Sequence, residues 1–314
     1  MKTKRKAKRC ALLTCEGLRE GRSVQHADLS KECLGDDDLL VPALKRVGIE
    51  AEFVVWDQER DWERFDCAVI RSTWDYTHQL DRFLKALRRI ARSRCRLFNP
   101  FETVRWNARK DYLIELAAKG VPVVPTRIVR RIDRAGVERA IAELDAPGIV
   151  IKPLVGAGAR NTFFLRRRDS RALGRINDLL ETNEFLLQPI VPGVIDGEIS
   201  LCFFGGAFSH GVLKRPKRGD YRSNAEFGAA VSRYQPTQTE LDFARCVLAQ
   251  APGEVLYARV DFVRDRGKLL LMELELIEPL LHFRSAPAAA ARFAVCLSRL
   301  QQSPEGHSNP GLGS

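Results

Sequence analysis

Residues 255–276 constrain this chain more than any other stretch. Two apolar-rich runs, 255–263 and 268–276, flank Asp265-Arg266-Gly267, which is a strong hairpin signal. A three-residue loop sets Asp261 opposite Leu271 and Arg259 opposite Glu273. Strand side chains alternate between faces, so Val260, Phe262, Leu270, Met272 and Leu274 share an apolar face that must pack on a core. The other face carries Arg259, Asp261, Glu273 and Glu275. Carboxylates crowded on a half-buried sheet repel one another, and desolvation adds to the cost. Two readings follow: a solvent-facing surface paired by Arg259, or a hard-cation site. Carboxylates without His or Cys point to Mg²⁺ rather than Zn²⁺.

Three further segments carry chemistry. Ile149-Val150-Ile151-Lys152-Pro153 precedes Gly156-Ala157-Gly158-Ala159-Arg160-Asn161. A buried strand there delivers a lysine into a small-residue turn. Backbone N–H groups at Gly156 and Gly158 can approach phosphate oxygens, and Lys152 adds a point charge. Neither a Walker A loop nor a complete GxGxxG fingerprint is present, so an ordinary hairpin turn competes with a phosphate cradle. Lys110 lies near the start of a helix read over residues 107–119, where a cation is normally disfavoured; a surface lysine is the competing reading. The basic run at Lys214 is followed by Arg222 and Asn224. It reads as a solvated loop or as a grip on an anionic group.

The chain is α/β (α+β) in class. Residues 10–104 alternate strand and helix in the order expected of a small α/β domain with a mainly parallel sheet. Asp36–Asp38 read there as the N-cap and acidic first turn of a helix over residues 39–47. Residues 105–187 form a small α+β lobe, with a helix expected near 170–181. Residues 188–302 form a second lobe built on two hairpins and a final helix. Arg71, Ser72, Thr73, Trp74 and Asp75 follow a buried strand at its C-terminal end. Ligands gather at that end in open α/β sheets, so these residues are substrate-contact candidates; a plain loop with a packed Trp74 is the alternative.

Composition narrows the class. Hydrophobic residues make up 45% and charged residues 29% of 314, a globular profile. No run approaches the ~18–20 apolar residues of a membrane helix, and no signal-peptide core follows the basic start, so the expectation is a cytoplasmic protein. Net charge is +11, but residues 1–9 hold six of the positives. They read as a flexible basic tail, and residues 303–314 as a disordered one. The remaining excess is modest and fits small anions as well as nucleic acid. The eight cysteines show no metal spacing and read as reduced, mostly buried thiols.

Taken in order, these elements resemble the ATP-grasp superfamily of carboxylate–amine ligases over residues 105–300. The signs are an early lysine, a second lysine before a glycine-rich loop, the strand-to-hinge Phe185-Leu186-Leu187-Gln188-Pro189, and the terminal hairpin. Residues 10–104 resemble the α/β domain that precedes it. Residues 69–76 and 106–113 are similar to the branch holding glutathione synthetases and the D-cycloserine-forming cyclo-ligase.

The resemblance implies two lobes that clasp ATP. Lys110 and Lys152 would bind its phosphates, the loop bearing Gly156 and Gly158 would close over them, and Gln188, Pro189, Ile190 and Val191 would hold the adenine. Lys214 and Arg222 would neutralise the phosphate or acyl phosphate. Arg259 and Asn224 would orient the transferring group. Asp261, Glu273 and Glu275 would coordinate two Mg²⁺ ions, with Mn²⁺ as an alternative metal. Glu275 stands where the superfamily usually has Asn, and Gly228-Ala229 where it usually has Gly-Gly.

The implied function is ATP-dependent activation of a carboxylate of an amino acid or small peptide as an acyl phosphate. Attack by an amine, in the same molecule for the cyclo-ligase branch, then gives an amide. The expected partners are small-molecule substrates, with no membrane or nucleic acid, and a homodimer is left open. Two rivals are a non-catalytic nucleotide-binding regulator on the same scaffold and a basic nucleic-acid-binding protein. The second offers no reason for a carboxylate-lined hairpin.

Overall fold

The computed structural model describes residues 7–18, 27–130, 134–144, 146, 148–158, 161–166, 184–218, 222 and 228–302. The helix expected near 170–181, Asn224 and the tail 303–314 lie outside them.

The first unit is a parallel sheet in the order β2-β1-β3-β4. Its strands are β1 (Lys8–Thr14), β2 (Ile49–Val55), β3 (Cys67–Ser72) and β4 (Arg96–Phe98). Every residue of β3 is buried, as a strand covered on both faces requires. Helix α1 (Ala27–Arg46) and helix α2 (Leu80–Ala91) connect the strands. Phe83, Ala86, Leu87 and Ile90 recur at helical spacing and form the buried stripe of α2.

Two sequence expectations are corrected here. Lys8 and Arg9 are not tail: both lie in β1, where Lys8 Nζ donates to Gln301 O at 3.1 Å and Arg9 pairs with Glu52 at 3.1 Å. Nor do Asp36–Asp38 start a helix. They sit inside α1, with Asp36 and Asp37 buried. Asp37 Oδ1 lies 3.3 Å from Arg71 Nε, so Asp37 serves a buried ion pair rather than a cap.

The second unit follows helices α3 (Phe101–Asn107) and α4 (Tyr112–Ala118). It contains β5 (Arg127–Arg130), β6 (Gly148–Pro153), β7 (Phe163–Arg166) and β8 (Glu184–Pro189), with helix α5 (Arg134–Glu143) packed on the sheet. The strand order is β5-β8-β6-β7, all antiparallel. The single helix expected over residues 107–119 is therefore broken between α3 and α4. Tertiary bonds explain the break: the Asn107 side chain bonds β-strand backbone, and Lys110 N donates to Leu154 O at 2.9 Å.

The third unit is an antiparallel sheet in the order β11-β10-β9-β12-β13. Its strands are β9 (Glu198–Phe204), β10 (Ala207–Arg215), β11 (Ala230–Tyr234), β12 (Tyr257–Asp265) and β13 (Lys268–Glu275). Helix α6 (Gln238–Leu248) opens with a Thr237/Glu240 capping box. Helix α7 (Ala288–Leu300) does not stay with this unit alone. Its Phe293, Ala294 and Leu297 share one core with Leu40 and Leu44 of α1 and Cys10 and Leu12 of β1. Burying a phenylalanine such as Phe293 stabilises by roughly 2–3 kcal/mol, so α7 ties the first unit to the third.

The β12–β13 register differs from the expectation. Asp265 pairs with Lys268, leaving a two-residue turn in which both Arg266 and Gly267 have positive φ. A bulge between Asp261 and Phe262 then shifts the pairing. Asp261 comes opposite Glu273 rather than Leu271, and Arg259 opposite Glu275 rather than Glu273. The bulge also re-sorts the faces. Leu271 and Leu274 join Val260 and Phe262 in the core, whereas Leu270 and Met272 pack with Val124, Val191 and Val194.

Candidate active site

One large cleft lies where the three units meet, with about 1780 Å³ of empty space counted out to its mouth. Its walls bring together Lys110, Lys152, Gly156, Gly158, Gln188, Pro189, Ile190, Val191, Lys214, Arg222, Arg259, Asp261, Glu273 and Glu275. Residues far apart in sequence thus face one space.

The acidic hairpin is locked by cations. Arg259 Nε and Nη2 donate to Asp261 at 2.9 and 2.8 Å, and the same guanidinium pairs with Glu275. Lys214 Nζ lies 2.5 Å from Glu198 Oε1 and 3.3 Å from Asp261 Oδ2. Lys110 pairs with Glu273. Burial alone would raise the Asp261 carboxyl, but Arg259 and Lys214 outweigh it and hold the group well below the usual range. Burial likewise opposes the charges of Lys110 and Glu273, and their pairing prevails, raising the lysine and lowering the acid. Glu275 is pushed up to about 7 by burial, against the pull of Arg259 and with the push of Glu273. Glu278 is pushed up to about 8 by burial and by Glu275.

Lys152 differs from Lys110. Burial lowers its ammonium, and Lys110 lowers it further against the distant pull of Glu273. It sits at the end of β6, ahead of Gly156 and Gly158. Among the described residues it has no ion-pair partner, so its charge is available to an anion in the cleft. Gly158 has φ +60, a conformation that favours glycine.

The hairpin face is held at its correct depth by α3 and α4. Asn107 Nδ2 donates to Leu274 O at 2.8 Å, and Leu276 N donates to Asn107 Oδ1 at 2.9 Å. The Tyr112 hydroxyl accepts from Leu274 N at 3.0 Å. These bonds fix the strand between Glu273 and Glu275. Ala229 has no positive φ, so alanine fits where the superfamily usually has a second glycine.

The structure does not bring every candidate to the cleft. Of the five candidates Arg71–Asp75 at the C-terminal end of β3, Trp74 lines it. Arg71 is buried in its ion pair with Asp37, Ser72 Oγ lies 2.9 Å from Thr14 Oγ1, and Thr73 is fully buried. Asp75 accepts from Trp56 Nε1 at 2.7 Å. Arg71 and Ser72 are drawn inward because β3 is buried along its whole length, and Thr73 and Asp75 belong to the turn that follows it. Asn224 lies outside the described residues.

Several cleft residues escaped the sequence reading: Tyr76, Asn107, Glu198, Glu278 and His282. Glu278, directly before Pro279 and three positions beyond Glu275, carried a readable signal as a further acid after the hairpin. The other four depend on tertiary contacts.

Among the described residues, no group of three or more His, Cys, Asp or Glu side chains is arranged to hold a metal ion as it stands. Arg259, Lys110 and Lys214 occupy the acids instead. The donor set nevertheless suits a hard cation: carboxylate oxygens from Asp261, Glu273 and Glu275 face one cleft, where burial first and neighbouring carboxylates second raise Glu275 and Glu278.

Comparison with known proteins accords with this geometry. Residues 119–266 match the family model of the prokaryotic glutathione synthetase ATP-grasp domain. Residues 10–99 match that of the N-terminal domain of the D-cycloserine synthetase DcsG. The chain is 32% identical over 279 residues to the cycloserine biosynthesis protein DcsG of Streptomyces lavendulae, covering 82% of this chain and 91% of the relative. A crystal structure of D-cycloserine synthetase DcsG superposes with a TM-score of 0.77 at 28% identity, covering 94% of this chain and all of that one. The D-alanine–D-alanine ligase of Bacillus anthracis, complexed with ATP, gives a TM-score of 0.65 over 94% of this chain and 97% of that one; at 14% identity it speaks for the fold alone.

The chain is an ATP-grasp carboxylate–amine ligase, an ATP-dependent enzyme that forms C–N bonds. Within that class it belongs to the family of the D-cycloserine synthetase DcsG. Among the described residues no helix is long and apolar enough to cross a membrane.

Proposed function

We propose that this enzyme activates the carboxylate of a small amino-acid substrate as an acyl phosphate and closes it to an amide with an amine of the same molecule. The product would be of the cycloserine type. The observation that carries the reading is the convergence of Lys110 and Lys152 with Asp261, Glu273 and Glu275 on one cleft. The relation to DcsG, a D-cycloserine synthetase, favours ring closure over joining two molecules.

A carboxylate resists attack by an amine because it has no good leaving group. The substrate carboxylate oxygen attacks the γ-phosphorus of ATP, ADP departs, and an acyl phosphate forms. The amine nitrogen then attacks the acyl carbon, phosphate leaves with the C–O bond electrons, and the nitrogen loses a proton. Lys110 and Lys152 would hold the triphosphate, and Gln188–Val191 would seat the adenine. Lys214, Arg222 and Arg259 would balance charge on the transferring group. The loop bearing Gly156 and Gly158 would exclude water from the acyl phosphate. Asp261, Glu273 and Glu275 would hold Mg²⁺, two ions by the family resemblance. When bound, the metal neutralises phosphate charge and orients the triphosphate.

The test is a screen of D- and L-amino acids, their amine-bearing side-chain derivatives and dipeptides for stimulated release of ADP and phosphate, with Asp261→Ala as control. Stimulation by a single amino-acid derivative, lost in the variant, is the expected result. Stimulation only when two substrates are supplied would replace ring closure by intermolecular ligation. Nucleotide binding without stimulated turnover would favour a regulatory role.

A further inference from the structure

Two lysines face the cleft from different segments. Lys110 lies in the turn between α3 and α4, and Lys152 lies near the end of β6. Their charges repel, and Lys110 adds to the burial that lowers the Lys152 ammonium. The two segments have to be held together against that repulsion. On the side of the third unit the turn is fixed by Asn107, which bonds Leu274 O and Leu276 N, and by the pairing of Lys110 with Glu273.

Arg109 holds the turn on the side of the second unit. Its Nε lies 3.1 Å from Asp111 Oδ2, and its Nη2 donates to Glu184 Oε2 at 2.7 Å. Glu184 is the first residue of β8, 75 positions further along the chain. Backbone bonds complete a ring. Leu154 N donates to Glu184 O at 3.3 Å, and Lys110 N donates to Leu154 O at 2.9 Å. Leu154 directly follows β6, whose Lys152 stands opposite Leu186 of β8. Arg109, Lys110, Leu154 and Glu184 therefore tie the segments of both lysines to one another.

We infer that Arg109 is a positioning residue for nucleotide binding: paired with Glu184, it clamps the second unit to the α3–α4 turn and sets the spacing of Lys110 and Lys152 about a triphosphate. Neither Arg109 nor Glu184 is among the described residues that line the cleft, so the pair acts through the lysines. The two side chains are 37% and 30% exposed, and a pair so open to water adds little to global stability. Its effect goes into geometry. Two cations already at the right separation bind a polyanion without first paying to be brought together. The inference rests on the reading of Lys110 and Lys152 as phosphate contacts and deepens it by naming what spaces them.

The test uses the full chain with Mg²⁺ and the non-hydrolysable analogue AMP-PNP, its dissociation constant measured by calorimetry. Arg109→Glu and Glu184→Arg should each weaken binding about 5-fold or more, because each sets like charges against one another across the clamp. The double variant Arg109→Glu/Glu184→Arg should regain most of the loss, short of full recovery because Asp111 then faces a carboxylate. All three should melt within about 3 °C of the parent. A general effect of charge on an anionic ligand would instead give opposite signs, weaker binding with Arg109→Glu and tighter with Glu184→Arg. That outcome, unchanged affinity in both single variants, or a double variant no better than the weaker single one would each overturn the clamp. If Arg109→Glu does not fold, Glu184→Gln reads the same contact: severalfold weaker binding supports the clamp, and unchanged or tighter binding overturns it. Lys152→Met is the control for the reading beneath. If it binds AMP-PNP as the parent does, the phosphate assignment fails, whatever the clamp variants do.

Discussion

Lys110 and Glu273 form an ion pair although 163 positions separate them in the chain. The pair joins the segment between α3 and α4 to β13, so a proposed phosphate contact and a proposed metal contact are coupled before any ligand arrives. Nucleotide binding has to share or replace this pairing. Lys110→Ala should lower ADP formation by about 10²-fold or more and also lower the melting temperature, because Glu273 loses its cation. Lys152→Met should cost a similar factor in turnover yet leave the melting temperature unchanged or higher, since burial already disfavours that charge. Steady-state kinetics and thermal melts on both variants check the contrast. Wild-type turnover in either would remove that lysine from the site.

Asn107 should matter for both stability and turnover. Its side chain satisfies Leu274 O and Leu276 N, which lie on either side of Glu275. Asn107→Ala leaves two buried backbone groups unpaired, at a cost of roughly 2–4 kcal/mol. Urea denaturation reads the cost. The acids of β13 should also lose their fixed depth, seen as a raised KM for ATP in the folded fraction.

Asp36 gives a pH-dependent stability of definite sign. Burial, only partly offset by Arg71, pushes its carboxyl up to about 6. The folded chain therefore holds this proton more tightly than the unfolded chain, whose Asp titrates near ~4. The stabilisation is fully present below that value and is lost as pH rises through about 6. Asp36→Asn keeps an oxygen for the Arg284 N–H, 3.4 Å away, but cannot ionise. From pH ~4 to ~7 the parent should lose roughly 2–3 kcal/mol relative to the variant. Denaturation curves at a series of pH values would show parallel profiles if Asp36 does not titrate in this way.

Gly193 sits where a close backbone approach leaves no room. A methyl group there would collide with the Arg264 carbonyl. Its own N–H donates to Asp265 Oδ1 at 3.1 Å. Gly193→Ala must displace either the hairpin end or the turn after Val191, at a cost on the order of 1–3 kcal/mol. A matching rise in KM for ATP is expected, because Val191 and Val194 line the cleft. An unchanged melting temperature would show that the two segments can separate freely.

Much of this enzyme is local information. The alternation of strand and helix in the first unit, the strand ending at Gln188-Pro189 and the acids of the last hairpin all rest on short-range patterns, and they are legible for that reason. The register of that hairpin is not. Its bulge depends on which side chains the core accepts, and the core takes Leu271 where simple alternation offers Leu270 and Met272. The fate of residues 71–75 was equally hidden. The motif marks the correct end of β3, but packing against α1 turns Arg71 toward Asp37 and leaves Trp74 at the cleft.

The sequence by itself determined the residue types that chemistry with a nucleotide requires: a lysine near a helix start, another ahead of a glycine-rich turn, and carboxylates on a strand whose other face must be buried. Tertiary structure alone decided their partners. Arg259 and Lys214 reach Asp261, and Lys110 reaches Glu273. The physical reason is range. Periodicity and turn propensity act over a few residues, whereas the energy of a buried charge depends on every group packed around it, wherever that group stands in the chain.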